Sequence, residues 1–235
     1  MKINTINKEE IEKFSRIAEE WWNPEGKFKP LHKFNPIRLE YIISQIDSSF
    51  KKEKKQITLL DIGCGGGLIS EPLSQQGIKV TAIDPIEKNI KIAKTQQLKS
   101  KSKVNYKKST LEELDNKNKF DVITCLEVIE HVDNPEKFLD KLASHLNKDG
   151  ILFIATINRT IKSLICAKFA AEYILNWLPK GTHQYNKFLM PHEINNMVKA
   201  KLNLIKQSGL KYNILKDNWS ISDDLSQNYI MTFKK

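Results

Sequence analysis

The sequence has few cysteines and no long apolar run. Its three cysteines, Cys64, Cys125 and Cys166, lie far apart and form no Cys-x-x-Cys pair, which argues against a disulfide framework and against a thiolate zinc site. No stretch approaches the roughly 20 apolar residues that span a bilayer. The first ten residues, MKINTINKEE, lack the apolar core of a signal peptide. We therefore expect a cytoplasmic protein.

Arginine is also scarce, although the chain is basic. The formal net charge is +10, but only three of the 38 basic residues are arginines, namely Arg16, Arg38 and Arg159. Phosphate recognition favours the guanidinium fork, so this excess of lysine is typical of codon bias and a solvated surface. We expect no nucleic-acid partner, and the three arginines become the more informative cations.

The order of predicted elements indicates an α/β protein. Helical patterns alternate with apolar runs that predict strands at 57–62, 78–84, 120–126 and 151–157. Such alternation predicts a mostly parallel sheet with helices on both faces. Pro24, Pro30 and Pro36 exclude one long helix near the amino terminus, so a second helix is predicted only from residue 38 to about 49. Another helix is predicted over 134–150, ending at Gly150.

We predict a single domain over residues 1–235. It has a helical extension at 1–50 and an amphipathic insertion at 158–190.

A glycine-rich loop follows the first predicted strand. Four of the nine glycines stand in DIGCGGG, residues 61–67, where a tight turn brings backbone N–H groups close to a ligand. The dinucleotide fingerprint would require glycine where Leu68 stands, and no Gly-Lys-Ser/Thr follows, which excludes a Walker A loop. Asp84 ends the second strand, where an acid accepts hydrogen bonds from a ribose diol; its alternative role is a helix N-cap. Loop and acid together predict a nucleotide-like cofactor.

Longer blocks of the sequence are similar to those of the ubiquinone biosynthesis O-methyltransferase family. They include WWNPEG, NPIRL, DIGCGGG, FDVITCLEVIEHV and PKGTH, and the resemblance covers nearly the whole chain. It implies a Rossmann-like, seven-stranded class I methyltransferase fold with an antiparallel last strand. It also implies methylation of polyprenyl catechols and 3-demethylubiquinol by S-adenosylmethionine (SAM). The alternatives are methylation of another small molecule or of RNA, or a peripheral membrane module without catalysis.

The resemblance implies four cofactor contacts. They are Arg38, Gly63, Asp84 and Leu126. Arg38 suits the methionyl carboxylate because a guanidinium can bind it at two points. Gly63 admits close approach of the backbone, and Leu126 offers apolar surface beside the adenosine, although a strand-end leucine is usually part of the core.

The segment CLEVIEH, residues 125–131, follows the fourth strand. In one helical turn, Glu127, Glu130 and His131 would share a face. The turn could be merely solvated. His131 could instead be the catalytic base for a phenol, whose ordinary pKa is about 10. In the third interpretation, which the resemblance implies, Glu127, Glu130 and His131 bind a divalent cation, with Mg²⁺ first and Mn²⁺ or Zn²⁺ as alternatives.

The insertion contains an amphipathic pattern at 163–178. Lys168, Glu172 and Asn176 recur every four residues, and most other positions are apolar. A core helix or an active-site lid would show the same pattern. Because the implied substrate carries a polyprenyl tail, we predict reversible contact of this segment with anionic lipid. We accordingly expect peripheral association with the inner membrane and a complex with other proteins of ubiquinone biosynthesis.

Overall fold

The structure, a computed structural model, describes residues 8–161, 163, 187–213 and 218–235. Its helices are α1 (Lys8–Ile17), α2 (Lys29–Ser49), α3 (Ser70–Gln75), α4 (Glu87–Ser100), α5 (Pro135–His145) and α6 (Pro191–Val198). Its strands are β1 (Thr58–Ile62), β2 (Lys79–Asp84), β3 (Asn105–Lys108), β4 (Phe120–Leu126), β5 (Leu146–Ile157), β6 (Asn203–Asn213), β7 (Asn218–Ser222) and β8 (Asn228–Lys234). Short 3₁₀ helices lie at Ala18–Glu20, Lys54–Gln56 and Ile129–His131.

The strands form one sheet in the order β3-β2-β1-β4-β5-β8-β6-β7. The first five strands of that order are parallel, and β8 runs antiparallel between β5 and β6. The predicted α/β class and mostly parallel sheet are confirmed. Beyond the seven strands implied by the resemblance, the described chain adds β7, which pairs antiparallel with β6 at one edge of the sheet.

The sheet is covered on both faces, as β5 shows. Ile151, Phe153 and Ala155 point into the core on the α2, α3 and α4 side, whereas Leu152 and Ile154 point into the core on the α5 and α6 side. None of these five residues is exposed. Because a central strand buries both of its faces, its sequence is a continuous apolar run rather than an alternating one.

Helix α2 begins nine residues before its predicted start, at Lys29 rather than at residue 38. Pro30 is tolerated because it lies in the first turn, where no N–H needs an intrahelical acceptor. Pro36 lies inside the helix and deprives the carbonyl of His32 of its usual donor. The prediction was wrong because the tertiary packing of one helix face outweighs that local loss. The buried residues of α2 are Phe34, Asn35, Arg38, Tyr41, Ile42 and Ile46.

The boundary predicted between a helix at 134–150 and a strand at 151–157 was also wrong. Helix α5 ends at His145, and β5 begins at Leu146. Leu146 pairs with Phe120, whereas Ile151 pairs with Val122, so the intervening residues form an irregularity in the strand. The turn-like residues there interrupt the register without ending the strand.

No helix among the described residues combines the length and apolarity needed to cross a bilayer. Apart from Ser163, the segment at 163–178 lies outside the described residues. Its contact with lipid therefore stays a prediction.

Candidate functional site

The candidate site lies where β1, β2, β4 and β5 end, at the carboxyl edge of the parallel sheet. Open α/β sheets bind their ligands at this edge. The N–H groups of Gly63 and Cys64 donate to the carbonyl of Ile83 at 2.9 and 3.1 Å, which ties the glycine loop to β2. Gly63 has a φ of +66°, and a Cβ there would meet Val128 Cγ2 at 2.5 Å. The chain itself therefore requires glycine at 63, besides any need of a cofactor.

Asp61, the first residue of the glycine motif, is buried and joins three elements, a role that was not predicted from the sequence. The hydroxyl of Ser70 donates to one carboxylate oxygen at 2.5 Å, and the hydroxyl of Thr124 donates to the other at 2.7 Å. These bonds join β1 to the start of α3 and to β4. Burial raises the pKa of Asp61 to about 6, although both hydroxyls oppose the shift. The signal available in the sequence was an acid followed directly by a glycine loop.

Asp84 ends β2 and accepts three hydrogen bonds. Oδ1 accepts from the N–H of Ile86 at 2.8 Å and from Nδ2 of Asn89 at 3.1 Å. Oδ2 accepts from the N–H of Gly65 at 3.0 Å. Burial raises the pKa of Asp84, and these donors oppose the shift. Asp84 thus bonds the chain entering α4 and the glycine loop, but it is not the N-cap of α4, which is Ile86.

Residues outside the predicted site also contact the glycine loop. Nε1 of Trp22 donates to the carbonyl of Gly66 at 2.8 Å. The hydroxyl of Tyr106 donates to Glu71 at 2.7 Å, and a Cβ on Gly67 would meet that hydroxyl oxygen at 2.2 Å. These contacts could not be predicted from the sequence, because Trp22 and Tyr106 are distant from the loop along the chain.

Arg38 forms a buried ion pair with Glu127 beside this loop. One guanidinium nitrogen, Nη2, donates to Oε1 of Glu127. The guanidinium also stacks 3.6 Å from the ring centroid of Phe34, and Nη1 makes a long contact of 3.5 Å with Asn35. Only 2% of the Arg38 surface is exposed, while its Nε has no hydrogen-bond partner in the described structure. One side of the fork can therefore still donate.

The end of β4 brings Leu126 and Glu127 to the same edge. Leu126 is half-buried and packs against the core on the α2 side. Glu127 has a φ of +54°, and its N–H donates to the carbonyl of Ala155 at 2.9 Å. Burial and the neighbouring carboxyl of Glu130 raise the pKa of Glu127, although Arg38 opposes the shift. Glu127 is thus a strained, partly desolvated acid beside a buried cation.

The predicted helical turn at 127–131 begins later than expected. The turn is a 3₁₀ helix over Ile129–His131, and Glu127 lies outside it because of its left-handed backbone. Glu130 is 4% exposed, whereas the His131 ring makes an edge contact with Phe14, with centroids 5.4 Å apart. No three side chains of His, Cys, Asp or Glu in the described part of the chain are grouped to bind a metal ion. Glu127, Glu130 and His131 are therefore adjacent without forming a ready metal site.

Buried polar atoms without a hydrogen-bond partner concentrate at this edge of the sheet. Five such atoms lie at or near the ends of β4 and β5 and the start of β8: Arg38 Nε, Glu130 Oε2, Thr156 Oγ1, Asn158 Oδ1 and Ser226 Oγ. Elsewhere among the described residues, only Ser102 and His145 carry one. Since nearly all buried polar atoms in proteins are hydrogen-bonded, this concentration indicates a place for polar groups of a ligand.

Comparisons with known proteins show the family of this chain. A family model described as a methyltransferase domain matches residues 31–204. The ubiquinone biosynthesis O-methyltransferase of Pelagibacter ubique (strain HTCC1062) is 51% identical over 239 residues, covering 99% of this chain and 100% of that protein. The enzyme of the same name from Agrobacterium fabrum (strain C58 / ATCC 33970) is 45% identical, covering 98% of this chain and 96% of its own.

Solved structures with the same fold carry the cofactor or its product. The magnesium protoporphyrin IX methyltransferase of Synechocystis PCC 6803, solved with SAM, matches with a TM-score of 0.66 at 16% identity and covers 99% of this chain and 100% of its own. An N-methyltransferase of Bradyrhizobium japonicum WM9, solved with S-adenosyl-L-homocysteine (SAH), has a TM-score of 0.63 at 15% identity. The match covers 96% of this chain and 97% of that protein. At such identities the likeness shows the fold alone.

Proposed function

Since the chain belongs to the ubiquinone biosynthesis O-methyltransferases, a family of class I SAM-dependent methyltransferases, we propose that it methylates a hydroxyl of polyprenyl catechols and of 3-demethylubiquinol. The observation that carries the proposal is the pairing of a glycine loop with Asp84 and the buried Arg38 at one sheet edge. This arrangement provides an acceptor for a ribose diol and a cation for an amino-acid carboxylate.

In this proposal the ribose of SAM binds at Asp84. Oδ2 accepts one N–H, from Gly65, and a carboxylate oxygen has capacity for a further donor. The hydroxyls of the ribose would supply it. Gly63 has no side chain, so the cofactor can approach the backbone of the loop closely. Leu126 at the end of β4 provides apolar surface for the adenosine.

The methionyl carboxylate of SAM would bind Arg38. Nε of Arg38 has no hydrogen-bond partner among the described residues, and Nη2 already binds a carboxylate, that of Glu127. A guanidinium binds a carboxylate best through two parallel N–H groups. The cofactor would therefore share Arg38 with Glu127 or displace it, and Glu127 would then be available to the acceptor.

Methyl transfer requires the acceptor hydroxyl to lose its proton. The phenolic oxygen attacks the methyl carbon, the bond from that carbon to sulfur breaks, and SAH leaves as a neutral thioether. We assign the proton to His131, because histidine exchanges protons near neutral pH. Holding the phenolic oxygen in line with the methyl group contributes much of the rate enhancement, because the two reacting atoms are already oriented when the reaction begins.

The divalent cation implied by the family has no assembled site among the side chains as they are arranged. Two carboxylates and an imidazole suit such an ion chemically, but Arg38 engages Glu127, and no three ligating side chains converge in the described chain. A cation bound by Glu127, Glu130 and His131 would require Glu127 to leave Arg38. No step of the mechanism above depends on the ion.

The proposed function is tested by transfer of a labelled methyl group from SAM to a short-chain prenylated catechol. We expect one methoxy product, identified by mass spectrometry, and little or no transfer to transfer RNA or to the same ring with both hydroxyls already methylated. Methylation of RNA with no transfer to the catechol would overturn the proposal.

A further inference from the structure

The segment before α2 covers the glycine loop with its own apolar cluster. We call residues 17–28 the N-terminal cap. The cluster of the cap consists of Ile17, Ala18, Trp21 and Phe28, together with Leu68. Trp21 and Phe28 are stacked, with ring centroids 3.7 Å apart and planes inclined by 8°. Packing within the cap therefore orients Trp21 independently of its contacts with the cofactor site.

The indole of Trp21 lies directly against the loop. A Cβ on Gly65 would meet Cζ2 of Trp21 at 2.3 Å, and a Cβ on Gly66 would meet Cβ of Trp21 at 2.5 Å. These two glycines therefore serve the close packing of the cap. Only 9% of the Trp21 surface is exposed, so the contact is dry and its geometry is well defined.

A chain of hydrogen bonds leads from Trp21 to Asp84. Nε1 of Trp21 donates to Oδ1 of Asn89 at 2.9 Å, and Nδ2 of Asn89 donates to Oδ1 of Asp84 at 3.1 Å. The indole can only donate and an ionised carboxylate can only accept, so the orientation of the Asn89 amide is determined by its two partners. Asn89 is 2% exposed, so water does not compete for its hydrogen bonds.

This chain orients the carboxylate that the proposed function assigns to the ribose. Oδ1 of Asp84 is engaged by Ile86 and Asn89, and Oδ2 accepts from Gly65. We propose that Trp21, acting through Asn89, is a positioning residue that turns Oδ2 of Asp84 toward the ribose diol of SAM. The proposal rests on the proposed function, because it takes Asp84 as the ribose acceptor.

One consequence is that the packed cap and the bound ribose stabilise each other. If Trp21 leaves the loop, Oδ1 of Asn89 loses the hydrogen bond that it accepts from the indole, and Asp84 becomes less restrained. Conversely, a diol bound to Asp84 favours the orientation in which Asn89 accepts from Trp21. Such reciprocity follows from linkage between two sites that share one network.

The test compares Trp21→Phe with Trp22→Phe by calorimetric titration with SAH and with its 2′,3′-dideoxy analogue. Phenylalanine at 21 keeps an aromatic ring that can stack on Phe28, and it removes the N–H donor together with part of the indole; Trp22→Phe removes the same atoms. Trp22 is the matched control, because its Nε1 also bonds the loop, at Gly66, but does not reach Asn89. Circular dichroism and thermal melting establish that both variants are folded.

We expect Trp21→Phe to weaken SAH binding roughly 3- to 10-fold, the effect of one hydrogen bond. It should leave the affinity for the dideoxy analogue unchanged, because that ligand has no diol to meet Asp84. Trp22→Phe should change both affinities by the same factor. Equal losses for both ligands in Trp21→Phe would reduce Trp21 to a packing residue and overturn the proposal, as would no loss at all.

Asp84→Asn separates this proposal from the proposed function. If Asp84→Asn binds SAH as wild type does, the ribose assignment itself is wrong. If Asp84→Asn weakens SAH binding while Trp21→Phe does not, Asp84 keeps its role and only the positioning by Trp21 fails. Asn89→Leu combined with Trp21→Phe should lose no more affinity than Asn89→Leu alone, because both variants interrupt the same chain.

Discussion

Arg38 and Glu127, which are 89 positions apart in the sequence, form an ion pair at the carboxyl edge of the sheet. The guanidinium is 2% exposed and the carboxylate side chain 22%. Breaking a buried pair leaves one charge without its partner, so the penalty exceeds that of a surface pair. The pair therefore links the stability of α2 and β4 to the proposed cofactor site.

We predict that Arg38→Gln lowers the free energy of unfolding by about 3 kcal/mol, measured by urea denaturation, and strongly weakens SAH binding. The matched control is Arg159→Gln, because Arg159 pairs with Glu193 while both side chains are more than a quarter exposed. That variant should lose less than about 1 kcal/mol. Equal losses would mean that burial does not distinguish the two pairs.

A second prediction concerns the pH dependence of stability at Asp61. Burial raises the pKa of Asp61 to about 6, so the folded state binds this proton more tightly than the unfolded state does. The resulting stability is fully present below the unfolded pKa of about 4 and is lost as the pH rises through about 6.

Asp61→Asn removes that titration and retains groups that can bond both Ser70 and Thr124. We expect the unfolding free energy of wild type, relative to Asp61→Asn, to fall by about 2.4 kcal/mol between pH 4 and pH 7.5. Urea titrations of both proteins at each pH give the difference. A difference that does not change with pH would show that Asp61 is ionised throughout this range.

Thr156→Val tests the unpartnered hydroxyl at the end of β5. Thr156 is fully buried, and its Oγ1 has no hydrogen-bond partner among the described residues, so valine should not lower the free energy of unfolding. Thr232 is an equally buried control whose hydroxyl is 2.9 Å from that of Tyr41. Thr232→Val should cost about 1 kcal/mol.

For activity, we expect the same two variants to behave in the opposite way. If the acceptor uses the hydroxyl of Thr156, Thr156→Val raises the KM for the catechol and leaves SAH affinity unchanged. Thr232→Val, in the adjacent strand, should leave that KM near the wild-type value. An unchanged KM in both variants would exclude Thr156 from the acceptor site.

His131 and the divalent cation are distinguished by one pair of assays. With His131 as the base, His131→Gln should lower kcat by roughly 10²-fold or more and leave SAH affinity intact. The turnover of the wild-type protein should then survive dialysis against EDTA. Loss of turnover in EDTA, restored by Mg²⁺ but not by KCl of equal ionic strength, would instead show that the ion is required. Glu127 would then have to turn away from Arg38.

Lipid contact by residues 163–178 is tested by co-sedimentation with anionic liposomes. We expect binding that weakens as salt rises, because lysines near the segment would meet anionic headgroups. Phe169→Ser combined with Trp177→Ser should reduce sedimentation without changing SAH affinity. Trp219→Ser, outside the segment, is the control. Wild-type sedimentation by the double variant would contradict membrane contact through these residues.

The strands and the glycine loop could be predicted because their signals are local. An apolar run of five to seven residues is sufficient to indicate β1, β2 or β4, and the spacing of four glycines indicates a tight turn. Asp84 could be placed at that turn because the carboxyl ends of parallel strands meet at one edge. Each of these inferences uses residues that are neighbours in the sequence or in one βαβ unit.

The interactions of Arg38 could not be predicted from the sequence. Whether Arg38 meets Glu127 depends on how α2 packs across the sheet, and α2 itself extends past Pro36 only because its buried face is stabilised by that packing. The same limit applies to Trp21, whose partner Asn89 is 68 positions away. The residue types and their spacing in the sequence show which side chains are unusual, but not which of them are in contact.

The contact of Trp21 with Gly65 and Gly66 has a consequence for hybrid proteins. A loop with any larger residue at either position has no room for this indole, because a single added carbon would already overlap it. Related chains should therefore change the tryptophan and the two glycines together during evolution. A chimera that joins this amino-terminal segment to the sheet of another methyltransferase should fold well only if it also receives the loop.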